Sequence, residues 1–266
     1  MIDASLLRRV PGCEGGDPPL EVRALAGGRS VNSVLRITTP AGRFVLRERR
    51  EPIRRPGADP GMELLAHRLA AQAGLAPLIL DAAPDGRWIL MEYVDAPPWT
   101  DDLLMAQPGL EMLCRRLQRL HGLPVPAGAH VFDPVAIASH QAERIAHDFP
   151  GRREGAAQLQ SRVETLVHSH VEESARPPCA APVLNHGDLQ ASNILGSALL
   201  VDWEYAQWTD PAWDIAVLMT YHPLLQSRGP ALLEAAGLHG RGQLAGLDRL
   251  RVLFAALNDL WTLAEA

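Results

Sequence analysis

One segment limits what this chain can become. The run Asn185-His186-Gly187-Asp188-Leu189-Gln190-Ala191-Ser192-Asn193-Ile194-Leu195 puts an acid and an amide five residues apart in a polar loop. A short apolar run, Ala198 to Val201, reads as a buried strand and leads into Asp202-Trp203-Glu204-Tyr205. A loop, a strand and a turn can therefore deliver Asp188, Asn193 and Asp202 to one point. Carboxylate and amide oxygens are the hard ligands that Mg²⁺ prefers, in a shell it shares with phosphates and water. An isolated Asp and Asn at this spacing would read as a capped turn. The flanking His186-Gly187, the apolar Ile194-Leu195 and the Asp202 turn favour the metal-handling reading.

Composition removes several classes of function. With 266 residues, 47% of them hydrophobic, the chain can build a large core in one domain or two lobes. The formal net charge is −6, which leaves no electrostatic footprint for nucleic acid. All 25 basic residues are arginine, so a Walker P-loop and Schiff-base chemistry, which both need lysine, are excluded. Cys13, Cys114 and Cys179 are widely separated and read as reduced thiols. The start, Met1-Ile2-Asp3-Ala4-Ser5, has no basic-then-apolar leader, and no apolar run reaches membrane-span length. The expectation is a cytoplasmic protein with neither a membrane nor a nucleic acid as partner, its oligomeric state open.

The chain then reads in order. Residues 3–10 form a short amphipathic helix stopped by Pro11-Gly12. Strands are expected at 20–25, 34–38 and 43–47. Between the first two lies Gly27-Gly28-Arg29-Ser30-Val31-Asn32-Ser33, a loop whose backbone N–H groups, with Ser30 and Asn32, could cover phosphates or simply close a hairpin. Alternation puts Val45 and Arg47 on one face of the third strand. Arg43, Arg47, Arg49 and Arg50 could also form a solvated edge. Asp59-Pro60 opens a helix to about Gln72, with Asp at N-cap and Pro at N1. Glu63 sits in its first turn, where the helix dipole favours it. Strands follow at 76–80 and 88–94 around an Asp85-Gly86 turn, and Asp95-Ala96-Pro97-Pro98 reads as a linker. Beyond it the periodicity is helical: 110–121 with Leu113, Leu117 and Leu120 on one stripe, then 134–148 and 154–174. After the central loop come a helix opened by Asp210-Pro211, and helices over 229–237 and 243–265. His140, His147, His168 and His170 lack metal-site spacing and read as surface residues.

The Asp188/Asn193/Asp202 spacing resembles the catalytic loop and metal-binding Asp of protein-kinase-like phosphotransferases. His186-Gly187 points to the small-molecule branch, the aminoglycoside phosphotransferase, choline kinase and thiamine kinase family. The resemblance implies an α+β, two-lobed protein-kinase-like fold. Residues 1–94 would be a small antiparallel β lobe that binds nucleotide, and 95–266 a larger, mainly helical catalytic and substrate lobe. It implies Asp188 as the base for the substrate hydroxyl, and Asn193 and Asp202 as Mg²⁺ ligands. Arg47, in place of the usual lysine, would meet the ATP phosphates with Glu63 as its partner. The carbonyl of Glu92 and the N–H of Val94 would read adenine. His186 and Asp214 would support the loop, Asp214 by accepting its N–H groups.

The activity implied is transfer of the γ-phosphoryl group of ATP to a small-molecule hydroxyl. Asp202-Trp203-Glu204-Tyr205-Ala206 and Gln190 look more like choline, ethanolamine and thiamine kinases than antibiotic kinases. Gln190, Trp203, Glu204, Asp210, Trp213 and Tyr221 are the candidate acceptor-binding residues, since aromatic and acidic groups suit a cationic amino alcohol. An aminoglycoside phosphotransferase is an alternative. So is a catalytically weak kinase-like binding module, because G-x-G-x-x-G and both expected lysines are missing.

Overall fold

A computed structural model describes residues 2–25, 32–49, 59–127, 129, 131–174, 181–238 and 241–265. The N-terminal part is an antiparallel sheet. Helix α1 (Ala4–Leu7) precedes β1 (Glu21–Ala24), β2 (Asn32–Thr39) and β3 (Gly42–Arg49). Helix α2 (Pro60–Gln72), β4 (Ile79–Ala82) and β5 (Trp88–Glu92) complete it, with strand order β1-β2-β3-β5-β4. Asp59 caps α2 by accepting the N–H of Gly61 at 2.7 Å, the local chemistry expected of Asp-Pro.

Because side chains alternate across a strand, the sheet has two dissimilar faces. Phe44, Leu46, Trp88 and Leu90 pack with Val10, Cys13 and α1 on the outside. Val45, Ile89 and Met91 pack with Leu64 of α2 on the inside. Arg47 pairs in register with Val34 and Ile89, so its side chain shares the inner face.

The remainder is mainly helical: α3 (Asp101–Met105), α4 (Gln107–His121), α5 (Pro134–Asp148), α6 (Arg153–Ser174), α7 (Trp213–Tyr221), α8 (Gly229–Ala235) and α9 (Arg241–Glu265). Between α6 and α7 lie short strands, β6 (Val183–Asn185), β7 (Ile194–Leu195), β8 (Leu199–Leu200) and β9 (Gln207–Thr209). They pair as β6 with β9 and β7 with β8, both antiparallel. The segment leaving β5 is laced onto β7: the Trp99 backbone N–H donates to the Ile194 carbonyl at 2.7 Å, and its indole N–H to the Gly196 carbonyl at 2.8 Å. Cys13 and Cys114 are buried free thiols. Among the described residues, no helix is long and apolar enough to cross a membrane.

The expected α+β, two-lobed architecture is present, with local differences. The strand read at 76–80 is displaced to Ile79–Ala82, since Leu75 and Ala76 are consumed by the core under α4. The helix read from Asp210-Pro211 begins at Trp213; Asp210 and Pro211 form the turn before it. The β6–β9 pair was not read from the sequence, its strands being too short for a periodic signal. The Gly27–Val31 part of the expected phosphate loop, Ser30 included, and Cys179 lie outside the described residues.

The leucine stripe of α4 is fully buried. Leu117→Ala should lower the free energy of unfolding by about 2–5 kcal/mol, whereas Leu224→Ala, at a side chain 82% exposed, should stay within about 0.5 kcal/mol of the parent. Paired denaturant titrations check this.

Candidate active site

The loop from His186 to Asn193 is set from beneath. Asp214, in the first turn of α7, has no exposed surface. Its two oxygens accept the backbone N–H groups of His186 at 3.0 Å and Gly187 at 2.9 Å. Gly187 has φ +79°, and a Cβ there would lie 2.3 Å from the Tyr205 carbonyl oxygen. Only glycine meets both conditions, the left-handed backbone and the close approach. The His186 ring takes part as well. Its Nδ1 accepts the Asp188 N–H at 3.3 Å and its Nε2 reaches the Val201 carbonyl at 3.0 Å, which places the ring proton on Nε2.

Asp188 is thereby held nearly buried. One carboxylate oxygen accepts from Gln190 Nε2 at 2.9 Å, the other from Asn193 Nδ2 at 2.8 Å. Asn193 Nδ2 also donates to the Asp188 carbonyl at 3.0 Å. These bonds commit the amide nitrogen and fix which way the amide faces, leaving Oδ1 as the acceptor end of the amide. The Val201 N–H donates to the Asn193 carbonyl at 3.0 Å, so Asp202 begins one peptide away from Asn193. Asp202 has φ +66°, a conformation non-glycine residues adopt only when the surroundings impose it. Its side chain is 38% exposed.

Among the described residues, no group of three His, Cys, Asp or Glu side chains could hold a metal ion. Mg²⁺ does not require one: it takes one or two protein oxygens and fills its shell with phosphates and water. Asn193 Oδ1 and the Asp202 carboxylate are hard oxygens of that kind, and their chemistry fits the ion.

Facing this loop from the sheet is a buried charge cluster. Arg47 is ion-paired through Nη1 to Glu63 Oε1, while Arg49 Nη2 holds Glu63 Oε2 at 2.7 Å. Arg47 Nη2 lies 3.4 Å from Glu204 Oε2 and 3.9 Å from Asp202 Oδ1. Asn32 Nδ2 donates to the same Glu204 oxygen at 3.2 Å. Strand, helix and the Asp202 turn thus meet at one guanidinium. Asn32 begins β2 rather than lying in a loop. Burial lowers the Arg49 pKa, and the neighbouring Arg47 charge adds to the effect.

A second contact ties α2 to the loop. Trp203 lies between the rings of His67, stacked at 6.1 Å, and His186, edge-on at 4.8 Å. His67 Nε2 meets the Pro77 carbonyl at 2.9 Å.

Beside Gly187 opens a cavity of about 80 Å³. Phe132, Tyr205, Trp213, Tyr221, Phe254 and Trp261 give it an aromatic wall, with Gln141, Gln207 and Asn258 the polar residues among its lining. Of the residues expected to bind an acceptor, Trp213 and Tyr221 line this cavity, and Gln190 is exposed beside Asp188. Three other expected acceptor residues are not in the cavity. Trp203 is 1% exposed and donates its indole N–H to the Leu200 carbonyl at 3.1 Å. Glu204 turns to Arg47 and Asn32. Asp210 forms the turn before α7, accepting the Ala212 N–H at 2.8 Å on its carboxylate and the Trp213 N–H at 2.9 Å on its carbonyl.

Sequence reading missed Arg49, His67 and the α9 wall. The 254, 257, 258, 261 spacing in α9 is one helical face, a signal that was available. His121, at the end of α4, has Nε2 3.9 Å from Asp214 Oδ2.

The kinase-like fold and a family match together define the class: a small-molecule kinase. The family model described as the phosphotransferase enzyme family matches residues 21–253, and the chain belongs to that family. No curated protein matches it by sequence.

Solved structures do. A choline/ethanolamine kinase family protein from Mesorhizobium loti is 23% identical, over 98% of this chain and 83% of that one, with a TM-score of 0.68. A choline kinase from Cryptosporidium parvum is 15% identical, over 98% and 88%, with a TM-score of 0.74. A spectinomycin phosphotransferase, solved with ADP and spectinomycin, is 13% identical, over 99% and 89%, with a TM-score of 0.60. At these identities the likeness is one of fold.

Burial depresses the His67 pKa to about 4 from 6.5. Below pH 6.5 the unfolded chain binds a proton that the folded chain refuses until about pH 4, so stability falls as pH drops through that window. The depression from 6.5 to about 4 corresponds to roughly 3 kcal/mol. Urea midpoints at pH 7 and pH 5 should converge in His67→Gln relative to the parent.

Proposed function

We propose that this protein transfers the γ-phosphoryl group of ATP to the hydroxyl of a small cationic alcohol of the choline, ethanolamine or thiamine type. The observation that carries the reading is the aromatic cavity beside Gly187, one residue from Asp188. Among the described lining residues none is acidic or basic. An aromatic wall attracts a quaternary or heteroaromatic cation through ring faces. A polycationic aminoglycoside needs several carboxylates, and this wall offers none.

In this reading Asp188 orients the acceptor hydroxyl and takes its proton, while Gln190 and Asn193 hold the carboxylate in place. Nucleotide use is supported by fold neighbours solved with ADP and with AMP. Arg47, backed by Glu63, grips the phosphates; Arg is suited to bidentate contact. The Glu92 carbonyl and the Val94 N–H read the adenine edge at the boundary between lobes 1–94 and 95–266. Asn193 and Asp202 would hold Mg²⁺, whose contribution is to neutralise phosphate charge. Asp214 and His186 position the loop and touch no reactant. Catalysis by this set is orientation and charge neutralisation, with no covalent enzyme intermediate.

A coupled ADP-release assay over choline, ethanolamine, thiamine, aminoglycosides and sugars tests the acceptor class: turnover confined to aminoglycosides or sugars would overturn it. Asp188→Ala should lower kcat by about 10²–10⁴-fold while nucleotide affinity stays within about twofold. Asp202→Ala should weaken nucleotide binding in the presence of magnesium. Parental turnover in Asp188→Ala refutes the assignment.

A further inference from the structure

Helix α7 meets the loop at both of its ends. Asp214 in its first turn holds the backbone of His186 and Gly187. Tyr221 closes the helix about two turns later, on the same face. Its ring packs edge-on against Phe254 at 5.6 Å and lines the cavity beside Gly187. Its hydroxyl is a hydrogen-bond partner of Asp188 and of Gln190. Gln190 Nε2 in turn donates to Asp188 Oδ1 at 2.9 Å, so phenol, amide and carboxylate form a closed triangle. Burial first, and then the Asp188 charge beside it, push the Tyr221 phenol well above its ordinary pKa. The group stays protonated, and toward a carboxylate it can only donate.

From this geometry we infer that Tyr221 is a positioning residue for the transfer: its O–H closes off one side of the Asp188 carboxylate and leaves a single place for the acceptor hydroxyl. The inference rests on the reading of Asp188 above and gives Tyr221 a role that its ring face does not supply. An ionised carboxylate offers about four lone-pair sites. Gln190 takes one, Asn193 a second at 2.8 Å and Tyr221 a third. The one left over holds one hydroxyl in one direction. Donors also weaken the carboxylate as a base, which matters little where positioning and charge neutralisation carry the reaction. Without the phenol oxygen a second place opens, for water or for a misdirected hydroxyl. A reacting group displaced by about 1 Å can lose about 100-fold in rate.

Tyr221→Phe keeps the ring and its packing on Phe254 and deletes only the oxygen. The probe is whichever of choline, ethanolamine and thiamine the parent phosphorylates fastest with ATP and magnesium. The variant should lower kcat about tenfold or more, the scale of one hydrogen bond to a charged group, with KM for the alcohol within about twofold. The same substitution in an Asp188→Ala background should lower kcat no further, since the partner through which it acts is gone. Parental kcat in Tyr221→Phe overturns the inference. So does a change confined to KM, which a wall residue alone would give, or an equal loss of kcat in the Asp188→Ala background. A second measurement needs no turnover: urea midpoints of the parent, the two single variants and the double variant. The shifts of the single variants should not add in the double; additive shifts mean that phenol and carboxylate are not bonded, and overturn the inference. If the parent phosphorylates none of the three alcohols while the midpoints fail to add, the proposed function falls and Tyr221 still orders Asp188.

Discussion

The Asp214 carboxylate, sealed from solvent, accepts the backbone N–H groups of His186 and Gly187, and the placement of every reactive side chain in the loop follows from those two bonds. A buried carboxylate is costly unless bonded. Two adjacent peptide N–H groups supply the bonds, and in return their peptides cannot rotate. Gly187 allows the loop to press against the Tyr205 carbonyl. Asp188 then emerges where Asn193 and Gln190 can hold it. No single hydrogen bond here need be strong; the loop is fixed because each donor has one acceptor within reach.

The two lobes are joined by charge and by rings. Arg47 and Arg49 share Glu63, and Arg47 also meets Glu204 and Asp202 from the other lobe. Arginine supports such a cluster because its planar fork serves several oxygens at once and it keeps its charge when buried. The stack of His67, Trp203 and His186 runs in parallel from α2 to the loop. Displacing α2 would disturb Glu63 and the His186 ring together, so Arg47 and the loop that carries Asp188 are mechanically linked. A neutral His67 suits this stack, since burial disfavours the charged ring and the nearby Arg47 charge disfavours it further.

The cavity beside Gly187 is made differently. Its walls come from α5, α7 and α9, and its chemistry is aromatic surface with a few amide and indole donors. Trp213 and Phe254 pack edge-on at 5.8 Å, and Tyr221 and Phe254 at 5.6 Å, so the rings of the wall support one another. A preformed site of this kind selects by shape and by the partners it offers its guest.

Features governed by neighbours along the chain were legible without coordinates. Asp59-Pro60 announces α2 because capping and N1 preference act within one turn. The α4 stripe shows because burial repeats with the helical period. The loop motif and the role it suggests for Asp188 and Asn193 also lie within a few residues. What required the tertiary structure was direction. Trp203, Glu204, Tyr205 and Asp210 sit close together in sequence, yet they turn respectively to the His67 stack, to Arg47, to the cavity and to the start of α7. No local rule decides among these, since each choice is set by which distant group can satisfy a buried ring, charge or N–H. The cavity itself joins residues from 132 to 261, and only packing of three helices brings Gln141 and Trp213 to one wall.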